Sequence, residues 1–319
     1  MYVDRVRQDG FRIESMTIND AHCHFFSSRF FETLASDLKD LPPGDTAVSM
    51  TSRLGWDPPG TFEALADRWV TELDRHGVAR AALIASVPGD EPSVAAAVMR
   101  HPRRFAGFFM LDPTREGAAA RVQRALTELG LRCVCFFPAM HRYRVDDDRV
   151  FRVFELLAAY PGTAAFVHCG VLSVGVRKKL GLPSQFDIRM GDPIALQVVA
   201  STFPHVPVII PHFGAGFFRE ALMAADLAPN VYLDTSSSNA WIKYHPGLTL
   251  PDVFRTALNV VGPDRLLFGT DSSFFPRGWQ RGVFETQKAA LEAIGTDEAT
   301  QWKIFGDNFE RLFGAASAS

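Results

Sequence analysis

The chain has 319 residues, 47% of them hydrophobic and 22% charged, and a formal net charge of −3. This balance is typical of a globular protein and gives no electrostatic reason to expect nucleic acid or an anionic membrane as a partner. No apolar run reaches the roughly 18 residues of a membrane span, and the charged start (MYVDRVRQDG) lacks the apolar core of a signal peptide. Four scattered cysteines are too few for a disulfide framework, so we expect a cytoplasmic protein.

The N-terminal region leads into a segment rich in histidine. Residues 3–18 alternate around Asp9-Gly10, which predicts a hairpin that runs into a β-strand. This strand ends within residues 19–26 (NDAHCHFF). Alternate side chains of a strand share a face, so we expect Asp20, His22 and His24 to point the same way. Two imidazoles at this spacing can hold one metal ion.

A long connection follows the histidines. Residues 25–60 contain the turn signals PPG and WDPPG, and no clear helical or strand periodicity. Connections of this length are usually functional or disordered. The many aromatic residues of this one argue against disorder.

From Thr61 onward, helical and strand patterns alternate to the end of the chain. A helix from Thr61 ends at Gly77, and further helices are predicted at 93–100, 117–129, 149–159, 193–202, 217–227, 251–261, 283–294 and 298–313. Apolar strands are predicted at 78–85, 105–111, 131–137, 163–168, 206–211, 231–234 and 265–268. With the histidine-bearing strand, this pattern predicts an α/β fold: a single (β/α)8 TIM barrel over residues 1–319, with an extra C-terminal helix. The alternative, an open doubly wound sheet, would need a G-x-G-x-x-G loop after an early strand, and none is present.

Polar residues follow several of these strands at the point where each one ends. They are His22 and His24 on the first strand, His168 on the fifth, His212 on the sixth and Asp271 on the eighth. Active sites of TIM barrels lie at the carboxyl ends of the strands, where these side chains would meet. Buried polar groups are costly unless they have partners, which argues against simple core packing.

These residues lie in motifs of a known family. The segment 20–24 (DAHCH) matches D-x-H-x-H, 212–214 is H-F-G, 268–271 is F-G-T-D, and 305–314 reads FGDNFERLFG. In this order the motifs resemble the amidohydrolase superfamily, and specifically the amidohydrolase-related branch. That branch contains the aminocarboxymuconate-semialdehyde decarboxylase and resorcylate decarboxylase group. The resemblance covers nearly the whole chain.

The resemblance implies a metal-binding site. Its ligands would be His22, His24, His168 and Asp271, with His212 as a catalytic residue. Many members of the superfamily bridge two metals with a carboxylated lysine on the fourth strand, but the predicted strand 131–137 has no lysine. We therefore expect one divalent metal ion, zinc in the first place and manganese as the alternative.

Two reactions fit these residues. In a metal-dependent hydrolase acting on an ester, lactone or amide, Asp271 would take the proton of the attacking water and His212 would polarise the carbonyl. In the alternative, a non-oxidative decarboxylase of an aromatic or muconate-type acid, His212 or Asp271 would protonate the carbon that loses carbon dioxide. Of the two reactions, we expect hydrolysis in the first place. A barrel that binds without catalysis would lack an expected ligand, and none is missing.

Loop residues suggest the substrate. Arg53 and Arg277 are candidates to hold a carboxylate, although each can equally be a surface residue. Phe25, Trp56 and Trp241 belong to a set of loop aromatics that would bind a small, flat, carbon-rich substrate or pack against one another as a lid. A homo-oligomer is compatible with the sequence.

Overall fold

The computed structural model describes residues 16–38 and 44–314, so the hairpin predicted at 3–18 lies almost entirely outside the described residues. Eight parallel strands form one sheet in sequence order. The strands are β1 (Ile18–Phe25), β2 (Val78–Ala85), β3 (Phe105–Leu111), β4 (Cys133–Phe136), β5 (Ala164–Val167), β6 (Val208–Ile210), β7 (Val231–Asp234) and β8 (Leu266–Leu267).

The segment after β8 closes the sheet onto β1. The backbone N–H of Asp271 donates to the carbonyl of His22 at 2.9 Å, and the N–H of His24 donates to the carbonyl of Ser272 at 2.7 Å. These two bonds bring the predicted ligands of β1 and β8 side by side. The TIM barrel predicted from the sequence is confirmed.

Helices surround the barrel and also fill its connections. They are α1 (Ser28–Ala35), α2 (Thr46–Leu54), α3 (Phe62–His76), α4 (Glu91–Arg100), α5 (Ala118–Thr127), α6 (Pro138–His141), α7 (Asp148–Ala159), α8 (Gly175–Lys179), α9 (Pro193–Thr202), α10 (Phe218–Leu227), α11 (Leu250–Val261), α12 (Arg281–Ala293), α13 (Glu298–Trp302) and α14 (Asn308–Phe313). A π-helical segment, Lys303–Asp307, separates α13 from α14, where the sequence predicts one continuous helix. Among the described residues, none of these helices combines the length and apolar character needed to cross a bilayer.

The described parts of the connection after β1 contain two helices that the sequence pattern does not predict. Its helices α1 and α2 are too short for a clear periodicity, but side-chain caps define where they begin. The Ser27 side chain accepts a hydrogen bond from the N–H of Phe30, and the Asp45 side chain accepts one from the N–H of Val48. The buried faces of both helices pack in one aromatic cluster with Trp56.

A β-bulge in β1 changes which residues face the barrel interior. Between Asp20 and Cys23, β1 advances three residues while β2 advances two. The extra residue shifts the alternation by one position. His22 and His24 therefore point into the mouth of the barrel and Asp20 points to the opposite face, so the expectation that all three side chains share one face is wrong.

Candidate metal centre

Three side chains meet at the mouth of the barrel in a geometry that fits a metal ion. The distances are 3.4 Å between His22 Nε2 and His24 Nε2, 3.2 Å between His24 Nε2 and Asp271 Oδ1, and 3.7 Å between His22 Nε2 and Asp271 Oδ1. Two atoms that each lie about 2.0–2.1 Å from a tetrahedral zinc ion are about 3.3 Å apart. This group of potential ligands therefore matches the size of a divalent metal site.

Buried oxygens hold the two histidines by their other ring nitrogen. His22 Nδ1 lies 2.6 Å from Asp234 Oδ2 and 2.9 Å from Ser236 Oγ. His24 Nδ1 lies 2.8 Å from Ser86 Oγ. A partner on Nδ1 fixes the ring orientation and leaves Nε2 free for a metal, which is the usual arrangement around ligating histidines.

His168 and His212 lie next to this group. The ring centroid of His212 is 5.0 Å from that of His22 and 5.3 Å from that of His168. The His212 Nδ1 atom is 2.9 Å from Ser236 Oγ, so one hydroxyl contacts both His22 and His212. His168 is buried, and its Nδ1 has no hydrogen-bond partner among the described residues. A buried imidazole of this kind is available to a further ligand.

The electrostatic surroundings keep most of the imidazoles neutral, which is the form that binds a metal. Burial lowers the pKa of His24, His168 and His212, in the case of His168 well below its ordinary value. Burial also disfavours the charged form of His22, but the carboxylates of Asp234, Asp271 and Asp20 together outweigh it, and the pKa of His22 is raised. Burial alone would raise the pKa of Asp271, yet the neighbouring histidines bring it below its ordinary value.

Unusual backbone conformations position two of these residues. His212 has φ 55° and Asp271 has φ 59°, a left-handed conformation that non-glycine residues rarely adopt. Gly269 lets the chain before Asp271 pass close to the site. A Cβ atom at this position would lie 2.8 Å from the Cβ of His22 and 2.9 Å from that of Ser236, so only glycine fits.

Asp20 stabilises the bulge behind the site. Its fully buried carboxylate accepts hydrogen bonds from the backbone N–H of His22 and of Thr270, at 2.9 and 3.1 Å. It also accepts bonds from Thr270 Oγ1 at 2.5 Å and Trp279 Nε1 at 2.7 Å. The carboxylate therefore joins the bulge of β1 to the chain that follows β8.

A cavity of about 770 Å³ opens above these residues. One wall is an aromatic stack from the connections after β1 and β8. Phe26 lies on Phe30 with ring centroids 3.8 Å apart, and Trp56 lies on Phe274 at the same distance. Such a wall offers flat apolar surface to a carbon-rich ligand.

The charges that line this cavity are unequal. Lys179, Lys243 and Arg277 are cationic, whereas Asp271 is the single carboxylate on its surface. Within the described residues, no carboxylate lies within ion-pair distance of any of the three cations. The cavity therefore presents positive charge to whatever enters it.

The structure places the predicted substrate-binding residues in two groups. Trp56, Trp241 and Arg277 line the cavity. Phe25 does not line it: β1 extends through Phe25, whose side chain alternates with that of His24 and is fully buried in the core between the strand and the helices. Arg53 is also outside the cavity, since it lies on the exposed face of α2 opposite the buried Ala47, Met50 and Thr51.

Several residues of the site were not predicted from the sequence to act there. Ser86, which contacts His24, directly follows β2, and a polar residue at a strand end is the signal that could have indicated it. The polar residues at the end of β7 carry the same signal, and the sequence predicts that Asp234 and the hydroxyls after it orient a ligand. In the structure, Asp234 and Ser236 contact His22. Lys179 and Lys243 carried no such signal in the sequence, because they belong to short helical turns within loops and not to strand ends.

Comparison with known proteins bears on this site. A family profile described as Amidohydrolase matches residues 19–315. Among curated proteins, Protein fluG of Emericella nidulans is 29% identical over 170 residues, which is 52% of this chain and 18% of that protein. The match thus covers less than a fifth of the length of this relative.

Several solved structures share the fold. The 5-carboxyvanillate decarboxylase LigW of Sphingomonas paucimobilis superposes with a TM-score of 0.61 and 17% identity, over 94% of this chain and 99% of that one. A 5-carboxyvanillate decarboxylase of Novosphingobium aromaticivorans, solved with bound manganese, superposes with a TM-score of 0.59 and 16% identity, over 93% of this chain and 97% of that one. A probable 2-pyrone-4,6-dicarboxylic acid hydrolase of Acinetobacter baumannii superposes with a TM-score of 0.57 and 15% identity, over 94% of this chain and 100% of that one.

Proposed function

This chain belongs to the amidohydrolase family, and we propose that it is a metal-dependent enzyme that decarboxylates a small aromatic carboxylic acid. The observation that carries the proposal is the charge of the cavity: three cations face a single carboxylate, which is itself a proposed metal ligand. A cavity of this charge with an aromatic wall suits a flat anionic substrate. The fold likeness to two carboxyvanillate decarboxylases supports the same reaction.

The proposed metal site uses residues from three strand ends. His22, His24 and Asp271 supply ligands whose mutual distances fit a divalent ion, and His168 offers a further buried imidazole. A bound divalent ion polarises oxygen atoms of the substrate and lowers the pKa of a water molecule. Zinc and manganese both suit ligands of this type.

The protein's own groups then account for the proton. In decarboxylation the carbon that bears the carboxylate accepts a proton, and the bond to carbon dioxide breaks and returns its electron pair to the ring. Asp271 and His212 line the cavity beside the site, and either one would take a proton from water and pass it to this carbon. Arg277, whose Nη2 lies 3.4 Å from the carbonyl oxygen of Asp271, would orient the reacting carboxylate.

Hydrolysis of a carboxylated ester or lactone is the second candidate. The low pKa of Asp271 favours it, because an ionised carboxylate is a ready acceptor for the proton of an attacking water. His212, kept neutral by burial, would polarise the carbonyl oxygen. The fold likeness to a pyrone dicarboxylic acid hydrolase is compatible with this reaction.

One experiment separates the two reactions. The metal-loaded protein is incubated with 5-carboxyvanillate and with 2-pyrone-4,6-dicarboxylate, in deuterated water and in ¹⁸O-labelled water. Decarboxylation releases carbon dioxide and places one deuterium on the ring of the product. Hydrolysis instead places one ¹⁸O atom in the product and releases no carbon dioxide. Product that carries ¹⁸O and forms without release of carbon dioxide would replace the first proposal by the second.

The Asp271→Asn variant tests the site itself. The substitution keeps the size of the side chain but removes its charge, so we expect turnover to fall by at least about 100-fold in either reaction. Asp226→Asn, at an exposed position of α10, is the matched control and should retain full activity. Wild-type turnover in Asp271→Asn would remove this residue from the mechanism.

A further inference from the structure

Three consecutive cations in α8 have different surroundings. Arg177 is paired with Asp37 at 2.6 Å and also donates to the carbonyl of Pro183. Lys178 is exposed and does not line the cavity, whereas its neighbour Lys179 does. The structure therefore directs one of the three charges into the cavity, although nothing in the local sequence distinguishes it from the other two.

Packing fixes the orientation of α8. Val176 and Leu180 lie one helical turn apart, and both are buried in the aromatic cluster that contains Trp56. Lys179 precedes Leu180, so the same packing that buries Leu180 brings the ammonium group to the edge of the aromatic wall. The position of this charge therefore follows from the packing of Val176 and Leu180 in the aromatic cluster.

Two cations lie against the aromatic wall. Lys179 Nζ lies 5.4 Å from the ring centroid of Trp56 and 5.8 Å from that of Phe274. The guanidinium carbon of Arg277 lies 4.4 Å from the same Phe274 ring. Arg277 is anchored to Ser273 Oγ at 2.7 Å and adjoins the carbonyl of Asp271. Arg277 is thus the cation of this wall that adjoins Asp271, whereas Lys179 lies by the stacked rings of Trp56 and Phe274, nearer to Trp56.

These two charges are close enough to contact one small molecule. Both lie over the ring of Phe274, so they are no farther apart than the sum of their distances to it. Among the residues that the structure describes, neither has a carboxylate within ion-pair distance. Two cations at this distance repel each other, and an anion between or beside them would offset this repulsion.

We propose that Lys179 and the edge of the Trp56–Phe274 stack form a second anion subsite, which binds a distal carboxylate of the substrate while the reacting carboxylate lies at the metal end beside Arg277. This inference rests on the proposed function and narrows it: the substrate class becomes an aromatic dicarboxylate. The cavity volume of about 770 Å³ leaves room for both groups.

The test measures binding, so it does not depend on which reaction the enzyme performs. Benzoate, isophthalate and terephthalate are titrated into the metal-loaded protein by calorimetry, with Lys179→Met as the variant. Lys178→Met is the matched control, because it removes the neighbouring exposed charge of the same helix. Both changes are at exposed positions, so the fold should be retained.

We expect at least one diacid to bind wild-type protein more tightly than benzoate does. Lys179→Met should weaken the binding of this diacid by about tenfold and the binding of benzoate by less than about twofold. Lys178→Met should change neither affinity. An equal effect of Lys179→Met on mono- and diacid, or no effect on either, would overturn the subsite and leave the proposed function intact. If none of the three acids binds wild-type protein, both the subsite and the proposed substrate class are wrong.

Discussion

The metal end of the cavity and its outer wall are built in different ways. At the metal end, the side chains extend from strand ends, and buried oxygens of Asp234, Ser236 and Ser86 fix the ring orientation of the histidines. The outer wall consists of loop aromatics with exposed cations such as Lys179 at its edge. The first arrangement suits a reacting group that must be placed accurately, and the second suits recognition of substrates that vary.

The two regions also differ in how their charges are compensated. At the metal end, the two carboxylates of Asp271 and Asp234 lie within ion-pair distance of His22, while burial favours the neutral form of the other histidines. In the wall, the cations have no carboxylate partner among the described residues. The metal end therefore needs a cation to complete it, and the wall needs an anion.

The largest expected effect tests the metal end. His22→Ala removes a ligand from the centre of the group, so we expect the metal content to fall from about one equivalent to background and turnover to be lost. Elemental analysis of the purified variant beside wild-type protein measures this. Asp234→Asn is the graded control. It leaves the ligand but weakens its hydrogen bond, and it should lower the metal affinity about 10- to 100-fold. Full metal content in His22→Ala would contradict the site.

A smaller effect is expected at the bulge that holds the metal end in place. Asp20→Asn puts an amide N–H against groups that already donate, including Trp279 Nε1, so we expect the free energy of unfolding to fall by about 2–4 kcal/mol. Urea unfolding of the metal-free protein measures it without the contribution of bound metal. Asp226→Asn, an exposed carboxylate in α10, should change stability by less than about 0.5 kcal/mol. Equal stability of the two variants would mean that the four hydrogen bonds of Asp20 contribute nothing net.

The smallest expected effect distinguishes the wall from the outer surface. Arg53→Ala removes a charge that points to solvent, so the KM for an aromatic carboxylate should stay within about twofold of the wild-type value. Arg277→Ala, inside the cavity, should raise that KM by about tenfold. Steady-state kinetics on the same substrate compare the two. A larger rise of the KM in Arg53→Ala than in Arg277→Ala would mean that the substrate carboxylate binds near Arg53 on α2 and not in the cavity.

Much of the metal end could be predicted from the chain, and little of the wall. His22, His24 and Asp271 follow strands whose apolar patterns are local, and parallel strands bring their carboxyl ends to one face. Phe25 was misplaced because it was assigned to the loop after β1, whereas the strand continues through Phe25 and alternation turns this side chain away from the cavity. Arg53 was misplaced because the nine-residue helix α2 is too short to show which of its faces is buried.

By itself, the sequence determined the eight strand–helix units and the polar residues at their ends, because periodicity and apolar runs are encoded within a few neighbouring residues. Only the tertiary structure decided which side chains of β1 face inward, since that depends on hydrogen bonds that Thr270, far away in the chain, donates to the Asp20 carboxylate. It also decided that Lys179 and not Lys178 enters the cavity. That choice follows from the packing of Val176 and Leu180 against Trp56 on another loop, a contact that no local pattern contains.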